Sequence, residues 1–110
     1  MNFNNMGDIL RNAGKIRRDL DRVQEDLKER VLEVTTGDGL VTVLVNGQQE
    51  LLKITISPKL VAPDAESIEI LEDVILAAIS KGMEESRALK SEEIGKVTGG
   101  LGDGLAGLFS

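Results

Sequence analysis

From Met6 onward the apolar residues fall at Met6, Ile9, Ala13, Ile16, Leu20, Val23 and Leu27, with steps of three and four in strict alternation. Three heptads of this kind put a single apolar stripe on one face of a helix, predicted from about residue 5 to 30. Asn2 to Asn5 precede it as a polar cap region. At 1.5 Å per residue such a helix is about 39 Å long. A small sheet cannot cover that length, so part of the seam needs another helix, from this chain or from a second one.

The period then shortens. Val31 to Thr35 alternates and is rich in β-branched residues, which predicts a strand, and Gly37-Asp38-Gly39 predicts a turn. A second strand places Val41, Val43 and Val45 on one face and Leu40, Thr42 and Leu44 on the other. Asn46-Gly47 predicts a type I′ hairpin turn, whose two central residues need positive φ. The third strand is expected from about Gln49 to Ile56, with Leu52, Ile54 and Ile56 on a shared face, and Pro58 ends it.

Helical spacing returns with Ile68, Leu71, Ile75, Ala78, Gly82, Ser86 and Leu89, widened by Ile70, Val74 and Ala77. Asp64 or Ser67 supplies the N-cap, and Glu66 and Glu69 suit the positive end of the helix. The helix is expected to reach Ile94, with Gly95 as its C-terminal stop. Gly82 costs about 1 kcal/mol in a helix interior relative to Ala, which points to a close approach there, expected between helices. The pattern therefore predicts an α+β fold: long helix, three-stranded antiparallel β-meander, long helix (α-β-β-β-α). Residues 1–97 form one domain in this reading, and residues 98–110 a flexible Gly-rich tail.

Composition narrows the function. The chain has 110 residues, enough for one domain, with two Phe and neither Trp nor Tyr, so the core is aliphatic. A chain this short gains from pairing with a second copy, and a homodimer is expected. Cys is absent, which excludes disulfides and cysteine-ligated metal. His is absent too, and with it the commonest general base and metal ligand at neutral pH. We therefore expect no enzyme, no small-molecule substrate, no cofactor and no metal. No apolar run approaches the length of a membrane span, and the first ten residues lack a signal-peptide layout, so a cytoplasmic protein with no membrane role is expected.

Gly102, Gly104 and Gly107 spell G-x-G-x-x-G, but a helix precedes them where the dinucleotide turn requires a strand. Glu84-Glu85 and Glu92-Glu93 point about 100° apart on a helix, as residues of a solvated face do. The basic residues of the first helix are more informative. Arg11, Lys15, Arg18 and Arg22 form one stripe opposite the apolar seam, flanked by Arg17, with Asp8, Asp19 and Asp21 nearby. An ordinary solvated face accounts for such a stripe. So does a row of phosphate contacts, for which the planar Arg fork is well shaped. The net charge of −6 is the wrong sign for gripping nucleic acid by bulk charge, so binding would have to be local. No aromatic residue is interleaved for stacking on single strands, and no set of groove-reading side chains stands out, so sequence preference would be weak.

Over nearly its full length the chain resembles the YbaB/EbfC nucleoid-associated protein family. The resemblance lies in Gly37-Asp38-Gly39-Leu40-Val41-Thr42-Val43 through Asn46-Gly47, in Ile54-Thr55-Ile56-Ser57-Pro58-Lys59-Leu60, in Leu71-Glu72-Asp73-Val74-Ile75-Leu76-Ala77-Ala78 and in Gly95-Lys96-Val97-Thr98-Gly99-Gly100-Leu101. It implies a tweezers-like homodimer with the strands at its joined centre and the long helices as arms. It further implies binding of double-stranded DNA with little sequence specificity, in the bacterial cytoplasm and nucleoid. DNA contacts would then map to Arg11, Lys15, Arg17, Arg18 and Arg22, with Arg87, Lys90 and Lys96 on the second helix. The stretch Ile79-Ser80-Lys81-Gly82-Met83-Glu84-Glu85-Ser86 departs from the Asn-Asp-Ala type of sequence common in relatives. The competing reading is a homodimeric protein-interaction module with no nucleic-acid role, using the helix arms and an apolar tail of Leu101, Leu105, Leu108 and Phe109.

Overall fold

The computed structural model describes residues 3–60 and 64–99. Helix α1 (Phe3–Glu29) leads into strands β1 (Val31–Thr36), β2 (Val41–Asn46) and β3 (Leu51–Ile56); a short 3₁₀ turn follows, then helix α2 (Ala65–Thr98). The sheet is an antiparallel meander in the order β1-β2-β3, as the alternation of residues predicts.

Strand β2 is central, and its alternation sets the core. Val41, Val43 and Val45 are fully buried on one face, with Val43 opposite Val34 of β1 and Ile54 of β3. Helix α2 crosses this face, bringing Ala78 against the valines, with Leu71, Val74, Ile75, Ile79 and Met83 packed around them. The approach is closest at Gly82, where a Cβ would stand 2.8 Å from Val45 Cγ2 and 3.4 Å from Val43 Cγ2. The glycine thus marks helix against sheet, and the expected helix–helix contact is corrected. At the other end of β2, Gly37, Asp38 and Gly39 all take positive φ. This folds the hairpin under α2, where Thr36 Oγ1 donates to the Val74 carbonyl at 3.1 Å. Asp64 caps α2, accepting from the backbone N–H of Ser67 at 2.8 Å and from its hydroxyl at 2.9 Å.

The corner at Asn46-Gly47 turns as expected but not by the expected chemistry. Positive φ falls on Gln49, not on Asn46 or Gly47, so the turn is not type I′. The reason is tertiary. Gly47 lies against the end of α1, its N–H donating to the carbonyls of Leu27 (2.8 Å) and Arg30 (3.1 Å), and a Cβ there would come within 2.8 Å of the Leu27 oxygen. Asn46 Oδ1 accepts from the N–H groups of Gln48 and Glu50, while its Nδ2 donates to the Lys28 carbonyl. Ser86 of α2 completes the corner: its buried hydroxyl donates to the Asn46 carbonyl at 2.6 Å and accepts from the Gln49 N–H at 3.0 Å. Two helices and a hairpin are locked together by polar groups that all find partners, as burial requires.

Strand β3 starts at Leu51, two residues later than expected. A register irregularity pairs Val45 with Leu51 and Leu44 with Lys53, leaving Leu52 as the extra residue. Because α2 lies over β1 and β2, Leu51, Leu52 and Ile54 on β3 stay exposed.

Helix α2 does not stop at Gly95. It runs to Thr98 and is capped by Gly99, whose N–H bonds to the Gly95 carbonyl. Packing carries it over the glycine: Ile94 and Thr98 are buried, and Thr98 Oγ1 also bonds the Ile94 carbonyl. This overhanging half pairs antiparallel with the second half of α1, where Leu20 and Leu27 are buried and Arg30 donates to Glu93 at 3.2 Å. The first turns of α1 continue past the end of α2, with Met6 50% and Ile9 51% exposed, giving a body 73 Å long and 22 Å wide. The tail from residue 100 onward lies outside the described residues.

Two measurements check this packing. Gly82→Ala adds about 1 kcal/mol of helix propensity, yet it should lower the urea midpoint, because a buried β-branched Val45 has no room to yield. A variant more stable than its parent would contradict the close approach. Glu93 titrates below the usual carboxylate range, chiefly through the hydrogen bond from Lys96; partial burial opposes this, and the Lys96 charge and the Arg30 contacts add to the lowering. A depressed folded-state pKa gives stability that is present above the unfolded-state value and lost as pH falls through the folded one. The midpoint gap between parent and Glu93→Gln should therefore be open at neutral pH and close in acid, as pH falls through the lowered folded-state pKa. A gap independent of pH would remove the ion pairs from the account.

Candidate nucleic-acid interface

The phase of the α1 seam fixes where its cations point. With Met6, Ile9, Ala13, Ile16, Leu20, Val23 and Leu27 on one side, Arg11, Lys15, Arg18 and Arg22 occupy the opposite side, and all four are exposed. Arg17 is exposed too, but at about 100° per residue it points to the flank of the apolar seam and not along their row. Continued in the same phase, the stripe meets Asp8 on one side and Glu25 and Glu29 on the other. The positive row is thus bounded, about 16 Å long at 1.5 Å per residue. It begins on the part of α1 that projects past α2. Arg11 at its outer end pairs with Asp8. Such an exposed pair is worth little and yields readily to a stronger anion.

The α2 cations are placed differently. Arg22 and Lys96 come together across a shallow groove between the helices, lined also by Asp19, Val23, Glu93 and Val97. Glu93 stands between them and holds Lys96 at 3.0 Å. Lys90 lines a second groove with Gln24, Glu25, Lys28, Gln48 and Glu50. Arg87 is exposed and lines neither. Of the eight cations singled out from the sequence, Arg11, Lys15, Arg17, Arg18 and Arg22 share one helix, whereas Lys90 and Lys96 sit among carboxylates. Lys28 and Arg30 escaped the sequence reading. Neither lies on the stripe, and Arg30 follows the last residue of α1, so only the tertiary fold brings Lys28 to Lys90 and Arg30 to Glu93.

Among the described residues no group of three or more acidic side chains converges to hold a metal ion, and no helix is long and apolar enough to cross a membrane.

Comparison with known proteins identifies the family. The model of the YbaB/EbfC DNA-binding family matches residues 1–101. A protein of Acetivibrio thermocellus named nucleoid-associated protein is 43% identical over 105 residues, spanning 96% of this chain and 90% of that one. A protein of the same name from Ruminiclostridium cellulolyticum is 37% identical over 96% of this chain and 89% of its own. The crystal structure of an uncharacterized Helicobacter pylori protein shares the fold, with a TM-score of 0.72 at 21% identity, covering 90% of this chain and 99% of that one. The chain belongs to the YbaB/EbfC DNA-binding family.

Proposed function

We propose that this protein associates with the nucleoid as a homodimer that binds double-stranded DNA through the cationic face of α1, with little regard to sequence. The observation that carries the reading is the exposed row of Arg11, Lys15, Arg18 and Arg22 on the side of α1 opposite its apolar seam, with only Arg22 reaching the groove beside α2. A duplex offers a phosphate charge about every 1.7 Å along its axis, so a straight row of cations finds partners without reading bases. Arg17 adds positive charge on the flank of α1, while Arg87, Lys90 and Lys96 contribute less, since Lys90 and Lys96 already face carboxylates. The relatives named nucleoid-associated proteins support the same role.

The dimer rests on β3. It is an edge strand with unpaired backbone groups, and Leu51, Leu52 and Ile54 are 37%, 51% and 40% exposed beside the buried valine face. An exposed apolar edge of this kind is a template for another strand, and a second copy placed there leaves both α1 rows free to reach DNA. The pair carries twice the single-chain charge of −6. Long-range attraction to DNA is therefore poor, and binding acts within a Debye length of about 8 Å at physiological salt.

Fluorescence anisotropy with a labelled random-sequence duplex should show saturable binding that weakens steeply with salt. The logarithmic slope should be about −4 to −7 for four to eight engaged cations. Arg11→Glu combined with Arg18→Glu should abolish binding with the circular dichroism and mass of the dimer unchanged; retained binding would move the interface off this face. Leu52→Lys should shift the species seen by sedimentation equilibrium from dimer to monomer, and an unaltered dimer would place the interface elsewhere.

A further inference from the structure

The groove between α1 and α2 brings one cation of each helix together. Arg22 is the last member of the α1 row, and Lys96 shares the groove from α2, with Asp19, Val23, Glu93 and Val97 as the rest of its lining. The two cations differ in availability. Arg22 enters no ion pair among the described residues, whereas Lys96 Nζ donates to Glu93 Oε1 at 3.0 Å. The same oxygen accepts from Arg30 at 3.2 Å. Glu93 is thus held by two cations, and its side chain is only 21% exposed. Asp8, at the outer end of the row, has Arg11 as its one partner among the described residues, and its side chain is 63% exposed. An incoming anion lets Asp8 swing into water, but Glu93 stays in place.

A phosphate backbone that follows the row meets Lys96 next. On α1 itself the phase of the row runs on into Glu25 and Glu29, which repel phosphate. The groove instead offers Lys96 on the side of Arg22. Lys96 is also free to leave its partner. Arg30 remains on Glu93 Oε1, so no carboxylate is stripped of its cation, and an exposed pair of this kind adds little stability. We propose that Glu93 sets how firmly the protein holds DNA: it keeps Lys96 out of phosphate contact, and release of Lys96 extends the α1 row across the groove onto α2. The inference rests on the reading of that row as the DNA interface. Glu93 acts twice over, since it neutralises Lys96 and also presents to the phosphate a charge of its own sign.

Salt titrations of the full-length protein on a labelled random-sequence duplex test this. Glu93→Gln keeps the shape of the side chain and an oxygen that accepts from Arg30. It should tighten binding at least fivefold, as an order of magnitude, at about 0.1 M salt. It should also steepen the logarithmic slope by about 0.9 for each protomer in contact, the increment of one further phosphate. Adding Lys96→Gln to Glu93→Gln should return the slope to that of the parent, because the two changes act through one contact. Glu92→Gln makes the same change of net charge at an exposed neighbouring position and should leave the slope unchanged. A parent-like slope in Glu93→Gln, an equal gain in Glu92→Gln, or a gain that survives Lys96→Gln would each overturn the proposal while the binding of the parent kept the α1 row as the interface. No saturable binding by the parent even at low salt would overturn that reading and this inference together.

Discussion

The contact on which the rest of this fold depends is the seating of α2 on β2 at Gly82, where the helix lies too near the sheet to admit a methyl group. That closeness lets Val41, Val43 and Val45 reach complete burial in a protein whose sequence places its two aromatic residues, Phe3 and Phe109, near its ends and none near this contact in sequence. It also fixes what α2 cannot do. A helix centred over β1 and β2 leaves β3 bare, and one as long as α2 must overhang the sheet. The overhang is what α1 packs against. The corner of Asn46, Gln49 and Ser86 then sets the angle at which both helices leave the sheet, since Ser86 is one helical turn beyond Gly82 and its hydroxyl is spent on the hairpin.

Much of this was legible in the chain because it is written in local periods. The alternating steps of α1, the valines of β2 and the Asp64 cap each depend on a few neighbouring residues. What was not legible depended on distant ones. Asn46-Gly47 reads locally as a type I′ turn, yet Gly47 is there for room against Leu27, and the positive φ moved to Gln49. Gly95 reads as a stop, yet burial of Ile94 and Thr98 carries the helix through it. Gly82 announced a close approach, but it was expected against a helix and is made against the sheet. At the interface, the α1 row was readable from heptad phase alone, whereas the neutralising company of Lys90 and Lys96 came from side chains far away in sequence.

The electrostatics divide the molecule by region. The acidic excess is spread over α2 and the last turns of α1, while the middle of α1, from Arg11 to Arg22, presents the cations in one row. A protein so arranged is repelled from DNA at a distance and held by it in contact. Association is then slow relative to a basic protein, and residence depends on the ionic atmosphere at the phosphates.

The two edges of the sheet are not alike. Strand β3 offers Leu51, Leu52 and Ile54, with a register irregularity at its start, whereas β1 exposes Val31, Glu33 and Thr35. If the greasy edge met the opposite edge of the next molecule, each addition would leave a fresh edge open, and growth would have no natural end. A meeting of like edges uses both at once and stops at two. The chemical asymmetry between β1 and β3 thus favours a closed object over a filament, and a single carboxylate at Glu33 helps guard that distinction.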